Sequence, residues 1–97
     1  MPAEPHFEIE YCSRCNWGLR ANWMAQEILS TFAAEIGSVT LTPDRNGGRF
    51  DIYINGELIW SRHELGRFPD VKELKQRVRD HISPGRSLGH SDIKPTD

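Results

Sequence analysis

Phe7, Ile9 and Tyr11 alternate with Glu8 and Glu10, a period of two that predicts a strand with one face toward a core and one toward water. Cys12-Ser13-Arg14-Cys15 follows directly. The period then lengthens: Ala21, Met24, Ala25, Ile28, Leu29, Phe32 and Ile36 recur at helical spacing, predicting a helix from about Asn16 to Ile36 with Gly37 closing it. Ser38 to Thr42 reads as a second strand with Val39 and Leu41 on one face, and Pro43 to Gly48 as a loop. Phe50, Ile52 and Ile54 alternate with Asp51 and Tyr53 in a third strand. Asn55-Gly56 fits a type I′ turn, so Glu57 to Ser61 is expected to return antiparallel as a fourth. Arg62 to Pro69 is a loop, after which Asp70 and Glu73 cap a helix carrying Val71, Leu74, Val78 and Ile82 on one face and ending at Pro84-Gly85. Residues 1–85 then form the domain, and the aperiodic stretch 86–97 is expected to be a mobile tail.

The resulting order is β-α-β-β-β-α, an α/β fold with a mixed four-stranded sheet. Strands covered by helices on both faces read as continuous apolar runs. Here Glu8, Glu10, Thr40, Asp51 and Tyr53 share a polar face, with Ile59 as its one large aliphatic. Both helices are therefore expected on the opposite face, leaving this one wet and the chain a monomer or at most a weak dimer. Strand directions bring the Cys pair, the Gly47-Gly48 loop and the loop bearing Arg62, His63 and Phe68 to one end of the sheet.

Composition narrows the function more than the fold. A chain of 97 residues with a net charge of −2 has room for one core and no general attraction to nucleic acid or anionic membrane. The Lys72 to Arg79 run alternates with acids and reads as a wet helix face. Met1 to Pro5 lacks the basic-then-apolar order of a secretory signal, so a cytoplasmic location is expected. In that compartment thiols stay reduced, and two cysteines three apart are expected to be reactive.

A Cys-x-x-Cys at a strand-to-helix turn has a mechanical logic. Unpaired first-turn amides stabilise a thiolate, and the second thiol lies close enough to resolve a mixed disulfide. By that logic Cys12, beside Arg14, is the more exposed sulfur and one of the two titrates below the ordinary thiol range. Half a zinc site and an inert pair have the same spacing. His6, His63, His81 and His90 are too scattered to complete a metal module, and no cofactor is expected. Arg14, Trp17, Gly47, Gly48, His63 and Phe68 are candidate partner contacts around Cys12 and Cys15. On a helical wheel Trp17 falls on the core side, with Leu19 and Trp23 opposite. Trp23 is then expected to lie under a loop or the tail, the alternative being an apolar contact patch. A redox protein and a non-catalytic interaction module both remain open.

The run Tyr11-Cys12-Ser13-Arg14-Cys15-Asn16-Trp17, with Arg20, Trp23, Gln26 and Thr31-Phe32, resembles bacterial members of the selenoprotein W-like (Rdx) family. So do Ile59-Trp60-Ser61-Arg62, Gly66-Arg67-Phe68-Pro69 and Leu88-Gly89-His90-Ser91-Asp92. The resemblance covers nearly the whole chain. It implies a thioredoxin-like fold and a thiol–disulfide role, with glutathione as a co-substrate or a protein thiol as partner. In the family's selenoproteins the selenocysteine takes the position matching Cys15, whereas thioredoxin mechanics make Cys12 the attacking thiol. Thioredoxins also place a cis-proline before the third strand, where this chain has Gly48-Arg49.

Overall fold

The computed structural model describes residues 4–89. β1 (His6–Cys12) lies inside a four-stranded sheet of order β2-β1-β3-β4, with β2 spanning Ser38–Asp44, β3 Phe50–Ile54 and β4 Glu57–Ser61. β1 runs parallel to β2 and antiparallel to β3, which pairs antiparallel with β4. The expected mixed sheet is thus present. Phe7 and Ile9 of β1, Phe50, Ile52 and Ile54 of β3, and Trp60 of β4 supply its buried face. Burial of each such side chain stabilises the fold by about 1.5–3 kcal/mol.

One core cluster joins this face to both long helices, α1 (Gly18–Thr31) through Ala21, Met24 and Ile28, and the C-terminal helix (Val71–Ile82) through Leu74 and Val78. Both helices therefore cover the same side. Between β4 and that last helix the expected loop contains a single helical turn, α2 (Arg62–Leu65), so Val71–Ile82 is α3. The Ser61 side chain accepts from the Glu64 amide, and left-handed Gly66 (φ 78°) ends the turn. Lys75 of α3 donates to Glu27 of α1 at 2.9 Å, tying the helices together outside the core.

α1 is shorter than its apolar spacing suggests. Asn16 has φ 60°, a left-handed conformation that cannot continue into the helix, so α1 begins at Gly18. At its other end Arg86 Nη2 donates to the Thr31 carbonyl at 2.8 Å, satisfying one of the orphan acceptors. Phe32 and Ile36 stay buried although they lie in the following turns, which is why helical spacing persists past the helix. Gly37 is not a helix cap: its amide donates to the Pro5 carbonyl at 2.9 Å, and a side chain there would collide with Glu4. β2 runs on through Pro43 to Asp44, because an edge strand tolerates a missing amide. The stretch expected to be a tail starts with anchored residues, Arg86 pairing with Glu35 at 2.9 Å and Leu88 packing on the core. The rest of it, from His90, lies outside the described residues.

The polar face needs two corrections. A bulge between Ile52 and Tyr53 sets Tyr53 opposite Leu58, so Leu58 occupies this face and Ile59 packs against the core instead. Asp51 is only 8% exposed, and its charge is matched by Arg49, whose Nη1 donates at 2.7 Å. Thr42 donates to Glu8 at 2.7 Å, and the Tyr53 hydroxyl donates to Glu10. The acids on this face are held by neighbours on the sheet itself.

Burial, reinforced by the hydrogen bond to Glu10, pushes the Tyr53 phenol up to about 12. Above pH 10 the unfolded chain therefore loses a proton that the native state keeps, and stability falls as pH rises from about 10 to 12. Urea unfolding across that window is expected to show a shallower decline in Tyr53→Phe than in the parent. The β3–β4 turn gives a second test. Asn55 (φ 52°) and Gly56 (φ 81°) are both left-handed, and Asn55 exchanges two hydrogen bonds with His6 at 2.8 and 2.9 Å. Asn55→Ala is expected to cost about 1–2 kcal/mol in chemical denaturation, since it loses both the side-chain acceptor and a tolerated left-handed residue. Asn55→Gly keeps the backbone freedom and is expected to cost less.

Candidate functional site

Cys12 is the last residue of β1, and its neighbourhood is built by the ends of three other segments. Its amide donates to the Arg49 carbonyl at 2.7 Å, which brings the Gly47-Gly48 loop against the end of the strand. On the other side the Ser13 amide donates to the Asp44 carbonyl at 3.0 Å, and the Trp17 amide to the Cys12 carbonyl at 3.4 Å. The chain after Cys12 thus curls back over it. Cys12 and Cys15 form a disulfide with Cα atoms 5.3 Å apart.

This enclosure reverses the expected exposure of the pair. Cys12 is fully buried, whereas Cys15 is partly exposed. The thioredoxin pattern misleads because here three residues intervene between Cys12 and the left-handed Asn16, and α1 begins only at Gly18. The first-turn amides of α1 therefore lie nearer in sequence to Cys15 than to Cys12. The position that the family's selenoproteins give to selenocysteine was the available signal. Arg14 is exposed between the two sulfurs.

The rim is aromatic. Trp17 packs edge-on against Phe68 (4.9 Å between centroids) and Phe50 (6.3 Å), and Phe50 packs edge-on against Phe68 at 5.0 Å. Phe68 is held in place from behind. Trp60, almost wholly buried, donates its indole N–H to the Arg67 carbonyl at 3.1 Å, and the Arg67 guanidinium forms two hydrogen bonds to Glu73 at 2.8 and 2.9 Å. Those bonds hold the Glu73 carboxyl below the usual range. Arg20 and Arg62 lie over these rings: Arg20 4.1 Å from the Phe68 centroid, Arg62 4.8 Å from that of Trp17.

The expected partner contacts divide. Trp17 and Phe68 belong to the aromatic rim beside the disulfide. Gly47 (φ 98°) and Gly48 (φ 81°) supply the left-handed turn that lets Arg49 reach Cys12. His63 is exposed and lines a groove of about 380 Å³ with Gly47, Gly48, Arg49 and Ser61, a groove that neither cysteine lines. No described peptide bond is cis, and ahead of the third strand, where the sequence has Gly48-Arg49 in place of a proline, the Arg49 carbonyl accepts from the Cys12 amide. No loop among the described residues covers Trp23, which is 49% exposed; Leu19, one turn earlier, is 85% exposed. Leu19 also lines a second groove of about 520 Å³ beside the Cys loop, with Tyr11, Ser13, Asn16, Gly18, Asn22 and Leu41.

A mixed four-stranded sheet of this order, two long helices on one face and a Cys-x-x-Cys between the first strand and first helix together define a thioredoxin-like domain. The Rdx family model matches residues 6–80, and the chain belongs to the Rdx family. A crystal structure of a selenoprotein W-related protein from Vibrio cholerae superposes with a TM-score of 0.79 at 53% identity, covering 84% of this chain and 100% of that one. A Bordetella parapertussis protein superposes with the same score at 54% identity, covering 82% and 100%. Among curated proteins, migration and invasion enhancer 1 of Mus musculus is 35% identical over 75 residues, 76% of this chain. The Bos taurus protein of that name is 33% identical over 72 residues, 73% of this chain. The chain spans 62% and 59% of the length of these two relatives.

After gentle reduction, Cys15 is expected to alkylate at least roughly tenfold faster than Cys12, because the attacking reagent must reach the sulfur. Peptide mapping after a short pulse of iodoacetamide reads this. Equal labelling, or labelling of Cys12 first, would contradict the assigned exposure.

Proposed function

We propose that the chain is a reversible dithiol–disulfide carrier in which Cys15 is the attacking sulfur and Cys12 the resolving one, exchanging with glutathione or a protein thiol. The observation that supports this is the bridged pair itself, one residue sealed beneath the Arg49 carbonyl and the other reaching the surface. In the reduced state the Cys15 thiolate attacks a partner disulfide, forming a mixed disulfide and releasing one partner thiolate. The Cys12 thiolate then attacks the Cys15 sulfur, closes the internal bridge and expels the second. Two electrons pass to the partner, and its two thiolates take up protons. The run in reverse reduces the bridge: two thiols give up two electrons and emerge joined as a disulfide. Enclosure of Cys12 confines the exchange with partners to one sulfur.

The exposed Leu19 and Trp23 beside the second groove favour a second reading, an interaction module that docks a partner without chemistry. Trapping separates the two. Cys12→Ser is expected to accumulate a mixed disulfide through Cys15, seen as a mass adduct with glutathione or a captured protein. Cys15→Ser is expected to accumulate far less. If neither variant forms an adduct over redox buffers spanning the cytosolic range, and a double Cys→Ser variant keeps its partners, the module reading stands and the carrier reading falls.

A further inference from the structure

Several surface cations of this chain have an acid. Arg49 has Asp51, Arg67 has Glu73, Lys75 has Glu27 and Arg86 has Glu35. Arg20 and Arg62 have none among the described residues, and both face the same ring. Their guanidinium carbons lie 4.1 and 5.0 Å from the Phe68 centroid, and Arg62 also lies over Trp17, two residues from Cys15. The Arg62 Nε is buried with no hydrogen-bond acceptor. Exposed Arg14 adds a third unpaired guanidinium on the loop between the cysteines.

Aromatic faces attract each guanidinium but do not cancel the repulsion between two of them. The repulsion falls if an anion sits against their terminal nitrogens, because guanidinium matches a carboxylate in a planar fork and the aromatic platform holds that fork in place. The platform is itself fixed by the Trp60–Arg67–Glu73 anchor, so the two cations are presented on a rigid surface.

We infer that Arg20 and Arg62, stacked on Phe68 and Trp17, form an anion subsite that recognises a carboxylate on the thiol exchanging at Cys15. This rests on the carrier reading for its position beside the reacting sulfur. The ligand is a cysteine-bearing peptide with a carboxylate a short reach from its sulfur, whether a small tripeptide thiol or an acidic segment of a protein. Its thiolate attacks Cys15, the Cys12–Cys15 bond breaks, and Cys12 leaves as a thiolate that takes a proton. A second peptide thiolate then attacks the sulfur of the first, the bond to Cys15 breaks, Cys15 leaves as a thiolate that takes a proton, and the two peptides depart as a disulfide.

The test uses short peptides with one cysteine flanked by glutamates, glutamines or lysines, and glutathione beside its uncharged diester. Rates of reduction of the intact chain are each normalised to the same thiol's reduction of a small neutral disulfide. The glutamate peptide is expected to outpace the lysine peptide by roughly tenfold at low ionic strength, with the advantage lost near molar salt. The ratio is expected to fall toward one in Arg20→Gln/Arg62→Gln and to persist in Arg20→Lys/Arg62→Lys, which keeps the charge. A preference for glutathione over its diester, without one for the glutamate peptide, assigns the subsite to the small thiol; the reverse assigns it to a protein segment. A peptide ratio of one together with no preference for glutathione over its diester in the parent, or a preference that the Gln variants leave unchanged, overturns the inference. Binding of S-methylated peptides, followed by the Trp17 indole N–H resonance, keeps the two readings apart. An acidic preference there that depends on Arg20 and Arg62, with no reduction by any thiol, refutes the carrier and leaves the subsite standing.

Discussion

β1 is the constraint on which the rest depends. It is hydrogen-bonded along both edges, to β2 in parallel and to β3 antiparallel, and its inward side chains Phe7 and Ile9 are fully buried. A strand held on both edges and one face has little freedom to shift, and a slip of one residue would send Glu8 and Glu10 into the core. Its last residue is Cys12. The position of the buried sulfur is therefore set by the most cooperative part of the sheet, while Cys15 sits on a loop whose backbone is turned by left-handed Asn16. One partner of the disulfide is rigid and the other is carried by the chain that must move for the bridge to open.

Most of the fold was legible because its strands alternate cleanly and its turn residues are strong. Asn55-Gly56 adopts the left-handed pair that its sequence demands, and β4 begins and ends where that turn places it. The ends of α1 were not legible, for opposite reasons. At the start, a left-handed asparagine interrupts a helix whose apolar spacing gives no warning. At the end, Phe32 and Ile36 continue to point into the core from a non-helical turn, so burial outlasts helicity. The bulge in β4 was invisible to a period-two reading, which is why Leu58 and Ile59 exchange faces.

The site divides along the same line. Its location was readable from topology, which brings the Cys pair, the glycine turn and the Phe68 loop to one end. Which sulfur faces solvent was not, because it depends on tertiary hydrogen bonds from Ser13, Trp17 and the Arg49 carbonyl that leave no periodic trace. Arg20 and Arg62 read as ordinary surface charge for a similar reason. Only the packing of Trp17, Phe50 and Phe68 reveals that they share a platform.

The two halves of the polar sheet face and the disulfide end follow contrasting electrostatic rules. On the sheet face acids find donors within the sheet: Glu8 takes Thr42, Asp51 takes Arg49, and Glu10 takes Tyr53. Nothing further is required to bury Asp51, since the ion pair and its neighbours supply what water would. At the disulfide end the balance is left open, with guanidinium groups stacked on rings instead of paired with carboxylates. The fold matches its charges on one surface and leaves Arg20 and Arg62 without a carboxylate among the described residues on another, beside the Cys12–Cys15 pair. That asymmetry needs no change in net charge, which is slightly negative for the whole chain. It arises from which acids lie within reach of which cations: Asp51 meets Arg49 beside the sheet, while no ion pair reaches Arg20 or Arg62 among the described residues.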